Sequence, residues 1–191
     1  MSPSELYFAA LLAACGGERL LEVALSWRNA RRALARGGRE VEGRGFYAAM
    51  VAVHGLLFVA APLEVAWLDR PFLPALAAVA TGLVAVAMGL RYWAVATLGD
   101  RWNTRIIVIP GEPAVDRGPY RYVRHPNYIA VTLEMAALPL VHTAWLTALV
   151  WSLASALLLA LRIPREEAAL AQASDYRARL GDRGRFLPRA R

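Results

Sequence analysis

The segment at positions 118–128, "GPYRYVRHPNY", contains the densest group of reactive side chains in the chain. Pro126 follows His125, and proline is tolerated in a first helical turn but disfavours helical geometry in the residue before it. A helix is therefore predicted to begin near Asn127, with His125 at its N-terminus, where free N–H groups bind carboxylates or phosphates. Tyr120 and Tyr128 add aromatic faces that can stack on a nucleobase or cover a sulfonium. The residues also fit an interfacial aromatic belt with arginines on lipid phosphates, and the pattern alone favours neither interpretation.

A second polar cluster, "LRIPREEAAL" at positions 161–170, follows the last apolar segment. Arg162 and Glu166 are four residues apart, so they share one face of a helix, and Glu167 lies beside them. A solvated salt bridge at a helix end is the structural alternative for such a pair. The topology predicted below places this cluster at the same membrane face as His125, which favours a shared site.

Several ionisable residues interrupt the apolar segments, where their cost makes them candidates for function. Glu134 lies almost two turns after the predicted helix start and could face the same cavity. His54 is expected to hydrogen-bond between helices, and Glu64 is expected to lie near the membrane interface. Arg19 is expected to pair with a neighbouring helix. His54, Glu134 and Trp102 are the candidate contacts for a substrate.

The elements that position these residues are unusually apolar. The chain has 191 residues, enough for one domain, of which 58% are hydrophobic and 19% charged, with mean hydropathy +0.36. Soluble domains carry about 25% charged residues. The net charge of +7 comes from arginines that punctuate apolar runs, which indicates a membrane surface rather than nucleic acid. A single cysteine and three scattered histidines predict neither a disulfide nor a metal site.

Apolar segments long enough to approach a bilayer span of about 20 residues recur along the chain. The last two are joined too tightly for anything but a helical hairpin. The first lacks the basic flank and cleavage site of a signal peptide, so it is expected to be a retained helix. The sequence thus predicts an all-α integral membrane protein of about five transmembrane helices, at 5–26, 46–67, 72–93, 128–141 and 144–161.

Arginine-rich segments alternate with short, almost uncharged connections. The basic segments cover 28–45, 91–127 and the tail from 162. The positive-inside rule then predicts an outside N-terminus, with the loop that contains His125 and the C-terminal segment in the cytoplasm. Segment 28–45 is expected to break into a short helix and a turn, and the loop after position 104 is expected to be extended or hairpin-like.

The motifs "GPYRYVRHPNY", "RIPREEAAL", "DYRARL" and "RFLP" together resemble the isoprenylcysteine carboxyl methyltransferase family over roughly residues 88–188. The N-terminal part is similar to a bacterial branch associated with type III polyketide synthases, some of whose members methylate alkylpyrones or alkylresorcinols. The resemblance implies one S-adenosylmethionine-dependent enzyme domain in the bacterial inner membrane. Its residues 1–93 would hold three spans and a basic loop, and 94–191 the catalytic half.

The resemblance also implies roles for individual residues. Arg162 and Glu167 would lie close to the reacting groups, with Arg162 as a counter-charge for an anionic acceptor and Glu167 as the base for a phenolic one. One departure is Arg179, where family members often have a second tyrosine, after a shortened C-terminal segment. The expected cofactor contacts are Tyr120, His125, Pro126, Tyr128, Glu166 and Tyr176.

Two other functions remain open at this stage. Membrane sterol and steroid reductases, which use NADPH, share similar motifs. They tend to carry a late Lys-Tyr-Gly-x-x-Trp element, whereas this chain has no tryptophan after Trp151. A non-catalytic membrane scaffold is the other alternative, and it predicts no cofactor binding.

Overall fold

The computed structural model describes residues 2–189, and these residues are mostly helical. Two two-residue strands, β1 (Arg39–Glu40) and β2 (Ile107–Val108), pair antiparallel, and 3₁₀ turns cover Gly99–Arg101 and Gly118–Arg121. The helices are α1 (Pro3–Ala35), α2 (Arg44–Trp67), α3 (Pro74–Leu98), α4 (Pro126–Leu140), α5 (Trp145–Ala173) and α6 (Tyr176–Leu180).

Three helical segments are long and apolar enough to cross a membrane: Arg44–Trp67, Pro74–Arg101 and Trp145–Ala173. On α5, Leu149, Leu153 and Leu157 form an outward stripe, and each is about 60% exposed. Such a face is typical of a helix that contacts lipid. The protein is therefore an integral membrane protein.

The remaining two predicted spans do not meet the same criterion. Helix α1 carries charged residues along its middle, and α4 has only 15 residues, so it is about 22 Å long against a hydrocarbon core of about 30 Å. The number of five spans stays a prediction.

Helices α3 and α4 form the most extensive contact between two helices. The buried face of α3 repeats at helical spacing and is built largely from alanine, at Ala77, Ala80, Ala87 and Ala94. Small residues let two backbones approach closely, which is how helices associate where lipid removes the usual hydrophobic drive.

The predicted hairpin of α4 and α5 is present, with a four-residue turn between Leu140 and Trp145. Glu64, at the end of α2, accepts hydrogen bonds from the backbone nitrogens of Leu146 (3.0 Å) and Thr147 (2.6 Å), and it forms an ion pair with Arg70 (2.7 Å). Glu64 is buried near the end of α2, where it satisfies free N–H groups in the first turn of α5, and its position at the membrane interface stays a prediction.

Helix α1 runs to Ala35, further than the sequence predicted, because its last turns hold the loop after α3. The Asn29 side chain donates to the carbonyls of Gly99 (3.1 Å) and Trp102 (2.8 Å). The Ser26 hydroxyl accepts from the Thr104 backbone nitrogen (2.9 Å). The extended segment predicted after position 104 is confirmed as β2, and these contacts fix its start.

The C-terminal segment docks on the loop before α4. The backbone nitrogens of Arg124 and His125 donate to the carbonyls of Gly184 (3.0 Å) and Arg185 (3.1 Å). Gly118 has φ +56°, and a side chain there would collide with Thr97, so glycine is required at the turn that carries Tyr120. The first polar motif and the C-terminal segment are thus held together by backbone contacts.

Candidate active site

The Tyr128 hydroxyl joins the two polar motifs. It donates to Glu166 Oε2 (2.5 Å) and accepts from Arg162 Nε (2.8 Å). Tyr128 lies in the first turn of α4, which begins at Pro126, within one residue of the predicted start. Arg162 and Glu166 share a face of α5, as their spacing predicted, and they meet at this hydroxyl.

Arg162 is buried and held from several elements. Its Nη1 forms an ion pair with Glu42 Oε1 (2.8 Å), and its Nη2 donates to the Thr104 carbonyl (2.7 Å). Burial raises the pKa of Glu42 above its ordinary value, and the neighbouring Arg162 opposes that rise. Glu42 was not predicted as a site residue, since nothing in the sequence separates it from the other charges of segment 28–45.

Glu167 faces a different set of partners. His125 Nε2 lies 3.0 Å from its Oε1, Arg124 Nη1 lies 3.1 Å from the same oxygen, and Arg185 Nη2 lies 2.7 Å from its Oε2. The His125 ring also stacks on Tyr128, with ring centroids 5.3 Å apart. Glu167 therefore ties α5 to the loop before α4 and to the C-terminal segment.

A cavity of about 600 Å³ extends from this polar region into the space between helices, a volume within the usual range of small-molecule sites, roughly 300–1,000 Å³. Burial raises the pKa of Tyr120 and raises that of Tyr176 to about 12, so both hydroxyls stay protonated at neutral pH. Among the residues described, the predicted site residues on the cavity wall are His54, Trp102, Tyr120, His125, Tyr128, Arg162, Glu166 and Tyr176.

Three predicted site residues lie outside that wall within the described chain. Pro126 is buried at the start of α4, Glu167 makes the contacts given above, and Glu134 lies behind the wall. The structure therefore places Glu166, rather than its neighbour Glu167, where it can contact a bound molecule.

Glu134 belongs to a buried ionic cluster deeper in the bundle. It pairs with Arg91, which the sequence analysis had counted in a basic loop but which lies in α3 and is 4% exposed. Arg19 Nη1 lies 3.7 Å from Glu134 Oε2, which confirms the expected pairing of Arg19 with another helix. The prediction that His54 hydrogen-bonds to another helix is wrong, because its Nδ1 contacts the Met50 carbonyl of its own helix (2.6 Å).

The polar end of the cavity fits S-adenosylmethionine. Asn127 Oδ1 and Arg124 Nε are buried without a protein partner among residues 2–189, and both side chains belong to the wall. They can bind the polar groups of an amino acid moiety, while aromatic side chains and Glu166 favour a positive sulfonium.

Comparisons with known proteins identify the family of the chain. Residues 79–172 match the isoprenylcysteine carboxyl methyltransferase (ICMT) family. The chain is similar to YpbQ of Bacillus subtilis (strain 168), with 34% identity over 157 residues that cover 82% of this chain and 92% of the relative. A Haemophilus influenzae (strain ATCC 51907 / DSM 11121 / KW20 / Rd) protein is 28% identical over 165 residues, which cover 85% of this chain and 92% of that protein. The chain belongs to the isoprenylcysteine carboxyl methyltransferase family.

Proposed function

We propose that this protein is an S-adenosylmethionine-dependent O-methyltransferase that acts on a lipophilic acceptor at the membrane surface. The observation that carries the proposal is the bridge from Arg162 through the Tyr128 hydroxyl to Glu166, which lies on the wall of a single cavity with a polar and an apolar end. A membrane methyltransferase needs this arrangement because its cofactor is water-soluble and its acceptor is not.

The polar end is the proposed cofactor site. When bound, S-adenosylmethionine supplies an electrophilic methyl group on a sulfonium. The His125 and Tyr128 rings and the Glu166 carboxylate offer this positive charge a favourable surface. Glu167 acts indirectly, because its contacts with His125, Arg124 and Arg185 hold the loop and the C-terminal segment together.

The reacting oxygen of the acceptor is proposed to bind at the Arg162 guanidinium. Arg162 orients this oxygen, and its charge stabilises the oxygen as it loses its proton. The sequence favoured Glu167 as the base, but two arginines and His125 hold its oxygens and it lies off the cavity wall. We assign the base to Glu166, whose Oε2 lies 2.5 Å from the Tyr128 hydroxyl.

The apolar end is the proposed site of the acceptor's tail. Leu20 of α1 and Val51 of α2 belong to the cavity wall, yet they are 73% and 49% exposed, so the cavity opens sideways between these two helices. A tail can therefore remain in lipid while the polar head reaches Arg162. An alkylpyrone or alkylresorcinol from a type III polyketide synthase pathway is the preferred acceptor, and a prenylcysteine is the second candidate.

The proposed setting is the bacterial inner membrane, with five spans, an outside N-terminus and a cytoplasmic active site. Arg19 and Glu22, in the middle of α1, form their ion pairs within the helix bundle. This pairing lowers the free-energy cost of inserting α1 into the membrane. The cavity wall draws residues from both halves of the chain, which supports the proposal that 1–191 form one domain.

The experiment is methyl transfer by purified protein with labelled S-adenosylmethionine and a panel of alkylpyrones, alkylresorcinols and prenylcysteines. Arg162→Lys keeps the charge but removes the planar fork that reaches Tyr128, Glu42 and Thr104, so we expect at least a 100-fold loss of rate. Arg165→Lys is the matched control, because Arg165 is exposed on the same helix over the Phe46 ring, and we expect its rate within twofold of wild type.

Binding of S-adenosylhomocysteine is measured separately by thermal stabilisation, which requires no acceptor. We expect stabilisation in wild type and in both variants. A protein that binds neither S-adenosylhomocysteine nor any acceptor, or an Arg162→Lys variant with full activity, would show that the proposal is wrong.

A further inference from the structure

A second polar group lies deeper in the same cavity, and the proposed mechanism does not use it. We call it the deep polar cluster, and it contains one or two residues from each of α1 to α4. Four of its members belong to the cavity wall and the fifth lies behind them. The cluster consists of Arg19, Glu22, His54, Arg91 and Glu134.

The ion pairs of the cluster leave no net charge. Arg19 Nη1 lies 2.7 Å from Glu22 Oε2, Arg91 Nη1 lies 3.6 Å from the same oxygen, and Arg91 also pairs with Glu134. Two positive groups thus face two negative groups. A charged ligand would therefore gain little binding energy from this neutral cluster, whereas an uncharged polar group can bind without meeting an unbalanced charge.

The cluster nevertheless holds unused hydrogen-bonding capacity. Within the described chain, Nε of Arg19 and Arg91 and Oε1 of Glu22 and Glu134 are buried without a partner. The Met50 carbonyl can only accept, so His54 Nδ1 donates to it, and His54 Nε2 is left as an acceptor. Buried polar atoms are normally satisfied, so this combination of donors and acceptors indicates a missing partner that can use both.

The distance between this cluster and the proposed reaction site follows from helix geometry. Met50 Sδ lies 2.9 Å from Arg162, and His54 is one turn further along α2, about 6 Å deeper. Glu134 is six residues after Tyr128 on α4, about 9 Å along that helix. The long side chains of Arg19 and Arg91 can reach towards Arg162, which shortens the distance between the two polar groups to about the width of a small ring.

We propose that the deep polar cluster binds a second, uncharged oxygen of the acceptor, a hydroxyl, which can both donate and accept a hydrogen bond. The proposal rests on the proposed function and narrows its substrate class. The preferred acceptor is a lipid whose polar head has two oxygen functions, one methylated at Arg162 and one bound at His54, Arg19 and Arg91. A prenylcysteine would place hydrocarbon there and leave these groups unpaired.

The test compares two lipids of equal chain length: an alkylresorcinol with two ring hydroxyls and an alkylphenol with one. Wild-type protein is expected to methylate the alkylresorcinol with a kcat/KM at least about tenfold higher, because a site built to bind a hydroxyl rejects the analogue that lacks it. The difference is expected mainly in KM, since the second oxygen does not react.

A variant then assigns the preference to the cluster. His54→Phe keeps a ring of similar size without nitrogen atoms, and the preference is expected to fall below about threefold. Phe58→Leu is the matched control, because Phe58 lies one turn further along α2 on the same cavity wall and has no polar atom. This control changes the two rates together and keeps their ratio.

Each outcome decides a different proposal. Equal kcat/KM for the two lipids in wild type, or an unchanged ratio in His54→Phe, overturns the deep subsite but leaves the methyltransferase intact. No methyl transfer to any alkylresorcinol, alkylphenol, alkylpyrone or prenylcysteine, together with no binding of S-adenosylhomocysteine, overturns the proposed function and the subsite with it. Thermal stabilisation of wild-type protein by the alkylresorcinol but not by the alkylphenol gives independent support that needs no turnover.

Discussion

Glu42→Gln is the sharpest perturbation of the site, because it keeps the size of a side chain that does not belong to either sequence motif. The Glu42 carboxylate holds Arg162 Nη1 at 2.8 and 3.1 Å in a buried contact. Loss of a charged hydrogen bond costs about 1.5–3 kcal/mol. Glutamine keeps one accepting oxygen and Arg162 keeps Thr104 and Tyr128, so we take the lower half of that range. The rate of methyl transfer is therefore expected to fall about 13- to 45-fold.

The matched control is Glu40→Gln, which removes the same charge two residues earlier. Glu40 pairs with Arg105 at 3.3 Å near the surface, where an ion pair contributes about 0–1 kcal/mol. Its rate is expected to stay within threefold of wild type. Both variants are assayed with labelled S-adenosylmethionine and checked for folding by binding of S-adenosylhomocysteine. Equal rates for the two variants would refute the role given to the contact between Glu42 and Arg162.

Two further predictions concern the elements around the site. Glu64→Gln weakens the contacts with Leu146, Thr147 and Arg70, so the free energy of unfolding is expected to fall by about 1–2 kcal/mol. Activity per folded molecule is expected to stay unchanged. A melting temperature equal to that of wild type would contradict this prediction. Arg185→Ala removes the side-chain link between Glu167 and the C-terminal segment, so titration is expected to show a several-fold weaker affinity for S-adenosylhomocysteine. Unchanged affinity would mean that this link does not support the proposed cofactor site.

The sequence determined the features that depend on local chemistry. Apolar segments of membrane length indicated an integral membrane protein, and the histidine–proline pair placed the start of α4 within one residue. The four-residue spacing of Arg162 and Glu166 put them on one face. These features could be predicted because each follows from composition or from steric limits within a few neighbouring residues.

Only the tertiary structure decided which charges meet. Glu42 and Arg162 are far apart in the chain, and Arg91 was counted in a loop until its contact with Glu134 placed it inside the bundle. Glu166 and Glu167 are adjacent, yet they point about 100° apart on the helix, so only one can face the cavity. The docked C-terminal segment brings Arg185 to Glu167, while Glu166 faces the cavity. Long-range packing therefore decides which side of α5 is covered.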